Sequence, residues 1–207
     1  MEAPDVQKQY AAVGISFEEF LKQFAEVHAE YIMGNVEVVV TNNTQHQEIL
    51  SFLSALLRLL LGVRSIGRLL LAGVPMNVGD EFPRREPDLM VIFNENLDRI
   101  KDTYIDGAAD IVVEIVSPES DGRDHGDKLR EYEAAGVREY WLFDPLREEA
   151  DIYALESNGR YRRLAKDEQG RVVSRLLSGF ALDPAILWRE RLPDGLELIK
   201  LVQEMTA

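Results

Sequence analysis

Apolar and polar positions along the chain change rhythm several times, and each change marks an element. Residues 16–28, SFEEFLKQFAEVH, put Phe17, Phe20, Leu21 and Phe24 on one helical face, and Ser16 with Glu19 three residues later forms a capping box. Residues 30–40, EYIMGNVEVVV, alternate as a hairpin about a Gly34-Asn35 turn. Residues 41–62, TNNTQHQEILSFLSALLRLLLG, give the longest helix, capped by Asn43 or Thr44 and stopping near Gly62. Strand rhythm then takes over. Residues 68–78 read as one or two strands, 79–86 as a loop, 87–93 (PDLMVIF) as a strand, and 94–107 as a connection that is helical in part. The driest strand is 109–117, ADIVVEIVS. Residues 124–136, DHGDKLREYEAAG, form a helix ended by Gly136. Residues 138–144 form a strand whose hairpin partner is 149–155; 159–166 and 170–174 are short antiparallel strands, and 196–205 a C-terminal helix.

This order predicts one α/β domain with a mixed central sheet, helices on its faces and added β-hairpins. We read residues 1–15 as a loose arm, about 16–156 as the core, and 157–207 as C-terminal strands and helix. At 207 residues and 46% hydrophobic content, the chain can bury a substantial core. It has no cysteine, which excludes disulfides, thiolate metal sites and a cysteine nucleophile. The N-terminus lacks the basic and apolar regions of a signal peptide, and the apolar stretch ILSFLSALLRLLLGV is short and broken by Arg58. We expect a soluble cytoplasmic protein without a membrane partner. The net charge of −14 opposes approach to a phosphate backbone unless cations intervene, and the basic residues form no stripe.

Two acids interrupt the dry strands. Asp88 alternates with Met90 and Ile92, and Glu114 with Val112 and Val116, while the opposite faces are also apolar. An unpaired buried carboxylate is costly, so each needs hydrogen-bond donors or a cation, and a divalent metal is one natural answer. Asp124, Lys128 and Tyr132 lie four apart on one face of the helix that follows Glu114. A lysine there could neutralise developing negative charge or position an attacking water.

The pattern PD…E…K resembles the PD-(D/E)XK nuclease superfamily, and within it the Uma-type branch of bacterial restriction-endonuclease-like proteins. AEYIMGNVEVV, TQHQEIL, EPDLMVIF, VVEIVSPES and DHGDKLREYEAAGVREYWLFDP carry the resemblance across residues 16–156. It implies a restriction-endonuclease-like fold and Mg²⁺-dependent (or Mn²⁺-dependent) hydrolysis of a nucleic-acid phosphodiester, with DNA the expected substrate. It makes Asp88 and Glu114 metal ligands, helped by the Ile115 carbonyl. It makes Glu30 the added glutamate of an early helix or its exit. The superfamily's lysine two residues after the second acid is missing, because that position holds Val116; Lys128 on the next helix takes its place. His46 and Tyr132 match branch positions without an assigned role. Met33 stands where the branch expects an acid or polar residue in the hairpin turn.

Plainer readings compete with these. Asp88 could start a strand and bond only to backbone, Glu114 could form a buried salt bridge with Lys128, and Glu30 and Lys128 could be surface residues. His46 reads as a cap or packing residue, and His28, His46 and His125 lack zinc spacing. Three functions stay open: a nuclease acting as a homodimer, a catalytically inactive nuclease fold that binds or assembles, and a hydrolase of small phosphoesters.

Overall fold

The strands expected to be dry pair with one another in the computed structural model, which describes residues 11–24, 27, 29–38, 43–118 and 120–206. In chain order, β1 (Ala12–Val13), α1 (Phe17–Gln23), β2 (Ala29–Ile32) and β3 (Asn35–Val38) precede the long helix α2 (Thr44–Arg64). Next come β4 (Gly67–Leu71), β5 (Met76–Asn77), β6 (Leu89–Phe93), β7 (Ile105–Asp106) and β8 (Ile111–Ile115). A π-helical turn over Arg123–Asp127 leads into α3 (Lys128–Ala135). β9 (Glu139–Asp144), β10 (Glu149–Leu155), β11 (Tyr161–Arg163), β12 (Val172–Val173), β13 (Ala181–Leu182) and α4 (Gly195–Thr206) complete the order.

Six strands make a mixed central sheet in the order β11-β10-β9-β8-β6-β4. Only β8 and β9 run parallel, joined through α3; every other neighbour is antiparallel. Both faces are covered. Leu89, Val91, Ile111, Val113, Ile115 and Trp141 pack on one side with the apolar stripe of α2 and with Leu198 and Val202 of α4. Met90, Ile92, Val112 and Tyr140 pack on the other with Tyr132 of α3. Each fully buried large side chain contributes roughly 1.5–3 kcal/mol, so the central strands hold the fold. A separate three-stranded sheet, β1-β3-β2, encloses a small core of Phe20, Ala29, Tyr31 and Val36.

Several boundaries differ from expectation. α1 stops at Gln23, and residues 25, 26 and 28 of the expected helix lie outside the described residues, as do 1–10 of the arm and 39–42. Ala12 and Val13 of the arm pair with β3. α2 is capped by Asn43, whose Oδ1 accepts from the His46 N–H at 2.9 Å. It continues through Gly62 to Arg64 and ends at Ser65 in the left-handed conformation. By length and composition α2 suffices to cross a membrane, contrary to the reading of its apolar stretch as too short; here its apolar face packs on the sheet. The strand β12 pairs with β13, while β11 extends the central sheet from β10.

The hairpin turn is Met33-Gly34, not Gly34-Asn35, because Ile32 pairs with Asn35. Both turn residues have positive φ, 51° and 88°, as a two-residue hairpin loop requires for its twist to match the strands. Met33 therefore holds a conformation that suits asparagine or glycine, which accounts for the polar residue expected there. Met33 is 56% exposed, so its side chain has little packing to lose. Met33→Asn is expected to stabilise the protein by about 0.5–1 kcal/mol, measured by urea unfolding.

Candidate active site

The β6–β8 ladder sets the two acids against each other. Leu89 pairs with Val113 and Met90 with Val112, so one further step places Asp88 opposite Glu114. Asp88 lies just before β6 rather than within it, yet its main chain continues the pairing: the Ala72 N–H donates to the Asp88 carbonyl at 3.0 Å. Both acids point to the face that α3 covers. The π-helical turn brings Lys128 over Glu114 as the first residue of α3, with Tyr132 one turn further along.

Glu30 arrives from the small sheet. The backbones of Tyr31 and Arg84 exchange hydrogen bonds at 3.2 and 2.7 Å, which docks β2 onto the loop ahead of Asp88. Alternation along β2 sends Tyr31 into the small core and Glu30 the other way. There Glu30 Oε2 accepts from Arg85 at 2.6 Å, and Arg85 in turn forks onto both oxygens of Glu131 of α3 at 2.8 and 3.0 Å.

The contacts at the centre are short. The Asp88 carboxylate uses Oδ2 to accept from the Ile115 N–H at 2.7 Å and lies 3.1 Å from His46 Nε2. Glu114 uses Oε1 to accept from the Tyr132 hydroxyl at 2.6 Å and to meet Lys128 Nζ at 3.0 Å. Lys128 Nζ is also 3.0 Å from Asp124 Oδ1 and 3.9 Å from Glu30 Oε1. Glu30, His46, Arg85, Asp88, Glu114, Asp124, Lys128 and Tyr132 are all buried. All four candidate side chains thus converge, and the Ile115 carbonyl belongs to the residue whose N–H holds Asp88. His46 is not a side-chain cap; its ring reaches Asp88.

The charges do not balance. Four acids, Glu30, Asp88, Glu114 and Asp124, face Lys128 and an Arg85 shared with Glu131. Burial, with Asp124 and Asp88 adding to it, pushes the Glu114 carboxyl up to about 8, although Lys128 pulls the other way. Burial opposes the charge on Lys128, but Glu114, Glu30 and Asp124 outweigh it and hold the ammonium above its ordinary range. Lys128 is therefore a fixed cation rather than a base. Burial also raises Glu30, yet Lys128 and Arg85 overcome it and leave its pKa lowered. Burial and Glu114 hold the Tyr132 phenol protonated as a donor.

Other buried acids in this sheet show what a purely structural carboxylate looks like here. Glu139 is saturated: Oε2 accepts from Trp141 Nε1 and the Ser174 hydroxyl, and Oε1 from the N–H groups of Arg175 and Leu176. Asp110 takes the Phe93 N–H on one oxygen and Asn96 and Arg138 on the other. Asp88 and Glu114 differ. Among the described residues, donors occupy Asp88 Oδ2 and Glu114 Oε1 alone, and the acids keep 7% and 3% of their surface accessible. Two carboxylate oxygens left open, in a site with excess negative charge, suit a hard divalent cation.

The family model Uma2, described as "Putative restriction endonuclease", matches residues 17–185. The chain belongs to the Uma2 family. A crystal structure described as that of "a putative nuclease belonging to DUF820" from Anabaena variabilis ATCC 29413 shares its fold, with a TM-score of 0.68 at 22% identity, covering 84% of this chain and 97% of that one. No curated protein matches it.

Three parts of this Uma2 site were missed in the sequence. Arg85 counts in the sequence only among basic residues that form no stripe, although it stands three residues before Asp88, and nothing there singles out Glu131. Asp124 was placed on the Lys128 face without a role; it is buried, and its Oδ2 also takes the Ser120 hydroxyl. A different group, Asp121, His125 and Asp144, brings ligand atoms within 4.8 Å of one another. Arg147 already supplies its positive charge, reaching Asp121 at 2.6 Å and Asp144 at 2.7 Å.

Glu86, beside this centre, offers a test of the buried negative charge. Burial and then the charge of Glu30 push its carboxyl from an ordinary 4.5 up to about 8, against the N–H groups of Ala29 and Gly73. The folded state then holds a proton that the unfolded chain has lost, so this group's contribution declines as pH rises from 4.5 through about 8. Glu86→Gln keeps an acceptor and removes the titration. Its melting temperature should exceed the parent's at alkaline pH, by about 1–3 kcal/mol in stability, with the gap closing in mild acid.

Proposed function

We propose that this Uma2 protein is a divalent-metal-dependent nuclease that hydrolyses nucleic-acid phosphodiesters, with DNA the expected polymer. The observation that carries the reading is the pair of opposed buried carboxylates, each held by one oxygen and open at the other, beside a lysine 3.0 Å from Glu114. Asp88 and Glu114 would hold the cation, with Mg²⁺ or Mn²⁺ matching oxygen ligands and the Ile115 carbonyl a further donor. A cation bound there supplies charge that polarises a phosphoryl oxygen and acidifies a water.

The protein's own residues supply the rest. Lys128, kept protonated by its acidic neighbours, orients the attacking water and stabilises negative charge developing on the phosphate. Arg85 locks Glu30 in place, so that Glu30 completes the acidic wall beside Lys128. The net charge of −14 opposes the approach of a polyanion. That charge supports a second reading, a nuclease fold that binds or assembles without cutting. We place the active form in the cytoplasm as a homodimer, since a duplex needs two cuts; analytical ultracentrifugation checks the dimer.

The deciding experiment incubates plasmid, single-stranded DNA, RNA and nucleotides with parent and Lys128→Ala under Mg²⁺ and Mn²⁺. Parent cleavage of a polymer supports the nuclease. A metal-dependent melting shift without cleavage supports the binding module, and activity on nucleotides alone the small-phosphoester hydrolase. Lys128→Ala should lose at least about 100-fold in cleavage while still binding metal. It strips the counter-charge from buried acids, so without metal it should also lose about 3–5 kcal/mol of stability, part of which Mg²⁺ restores. A Lys128→Ala protein that cuts as fast as the parent removes Lys128 from the mechanism.

A further inference from the structure

His46 and Tyr132 are buried polar side chains, and among the described residues each makes one side-chain hydrogen bond, to one of the two acids. The hydroxyl of Tyr132 donates to Glu114 Oε1 at 2.6 Å, and the ring of His46 meets Asp88 Oδ2 at 3.1 Å. A carboxylate oxygen accepts, so Nε2 is the His46 atom that donates to Asp88. Its other nitrogen, Nδ1, is buried and has no partner among the described residues. At this position on α2, next to Ile49 and Leu53 of the apolar stripe, a leucine or phenylalanine would avoid leaving that atom unpaired. The cost of a histidine there is offset by the contact that Nε2 makes with Asp88.

The two contacts have the same form. Each acid is gripped on one oxygen by a ring donor from a helix, His46 from α2 and Tyr132 from α3. Each grip has a second donor on the same oxygen: the Ile115 N–H for Asp88 and Lys128 for Glu114. Two donors on one oxygen limit the rotation of the carboxylate and leave its other oxygen without a donor among the described residues. Saturated carboxylates such as Glu139 show no such division.

We infer that His46 and Tyr132 are a matched pair of positioning residues, which set the open oxygens of Asp88 and Glu114 for a shared divalent cation. The inference rests on the metal-dependent reading above. Ligand-orienting hydrogen bonds of this kind typically change metal affinity by roughly 10–100-fold.

The test is Mn²⁺ titration by calorimetry and by melting temperature, on the full chain, for the parent, Tyr132→Phe, His46→Phe and His46→Gln. Tyr132→Phe keeps the ring and loses only the hydroxyl. The amide nitrogen of His46→Gln reaches the place of Nε2, whereas His46→Phe fills the space without a donor. The expected result is Mn²⁺ binding weakened roughly 10–100-fold in Tyr132→Phe and His46→Phe, and largely recovered in His46→Gln. A purely structural role would lower the metal-free melting temperature and leave the Mn²⁺ midpoint unchanged, and that outcome overturns the inference. If His46→Phe does not fold, Tyr132→Phe and the comparison of His46→Gln with the parent decide it: an unshifted midpoint in Tyr132→Phe counts against the pair. A parent that binds no Mn²⁺ at all overturns the metal-dependent reading itself, and the inference with it; a parent that binds while every variant binds equally overturns the inference alone.

Discussion

Two carboxyl groups that face each other at the dry end of a sheet need a cation beside them, a retained proton or hydrogen-bond donors. In this protein the antiparallel ladder between β6 and β8 forces that meeting, and burial removes the water that would otherwise relieve it. The surroundings then read as responses to one problem. Lys128 is drawn under the start of α3, Arg85 is shared between two acids, and Glu114 has its proton affinity raised. The charge still falls short. A sheet kept only for stability would replace such acids with apolar residues or saturate them with neutral donors, as it does at Glu139.

The scaffold explains why the lysine comes from a helix. Position 116, two residues after Glu114, holds a valine buried in the core beneath α3. A lysine there would have to displace that packing. The π-helical turn offers another route, because its extra residue per turn re-aims the first turn of α3 so that Asp124 and Lys128 both face the strand end. The small N-terminal sheet closes the remaining side through a backbone exchange between Tyr31 and Arg84. Guanidinium stacking of Arg84 on Phe17 and Tyr31, 4.9 and 5.2 Å from their ring centres, reinforces that docking.

Much of this was legible in the residues. Continuous apolar runs identified β6 and β8 as strands buried on both faces and β9 as a further strand, and the four-residue spacing placed Asp124, Lys128 and Tyr132 on one helical face. The acids stood out because carboxylates between valines are rare without partners. What escaped was set by long-range geometry. The turn at Met33-Gly34 follows from the register with β3, not from which dipeptide is the better turn former. Arg85 gained its importance only when β2 docked beside it, 55 residues away in sequence. His46 could be read as a cap because it sits in the first turn of a helix; its contact with Asp88 spans 42 residues and leaves no local trace.

Glu139 has a further consequence for how the chain holds together. Its four donors include Ser174, Arg175 and Leu176, and its neighbour Trp141 packs against Phe180 with the ring centres 4.3 Å apart. The segment beyond the central strands therefore completes the solvation of an acid buried on β9, and its apolar residues finish the core under α2. A polypeptide trimmed after residue 156 would leave Glu139 with Trp141 as its one remaining donor among the described residues, and would strip the cover that α4 adds beside α2. The chain after residue 156, part of which the family model itself spans, is thus built into the same packing unit as the strands that carry the two acids.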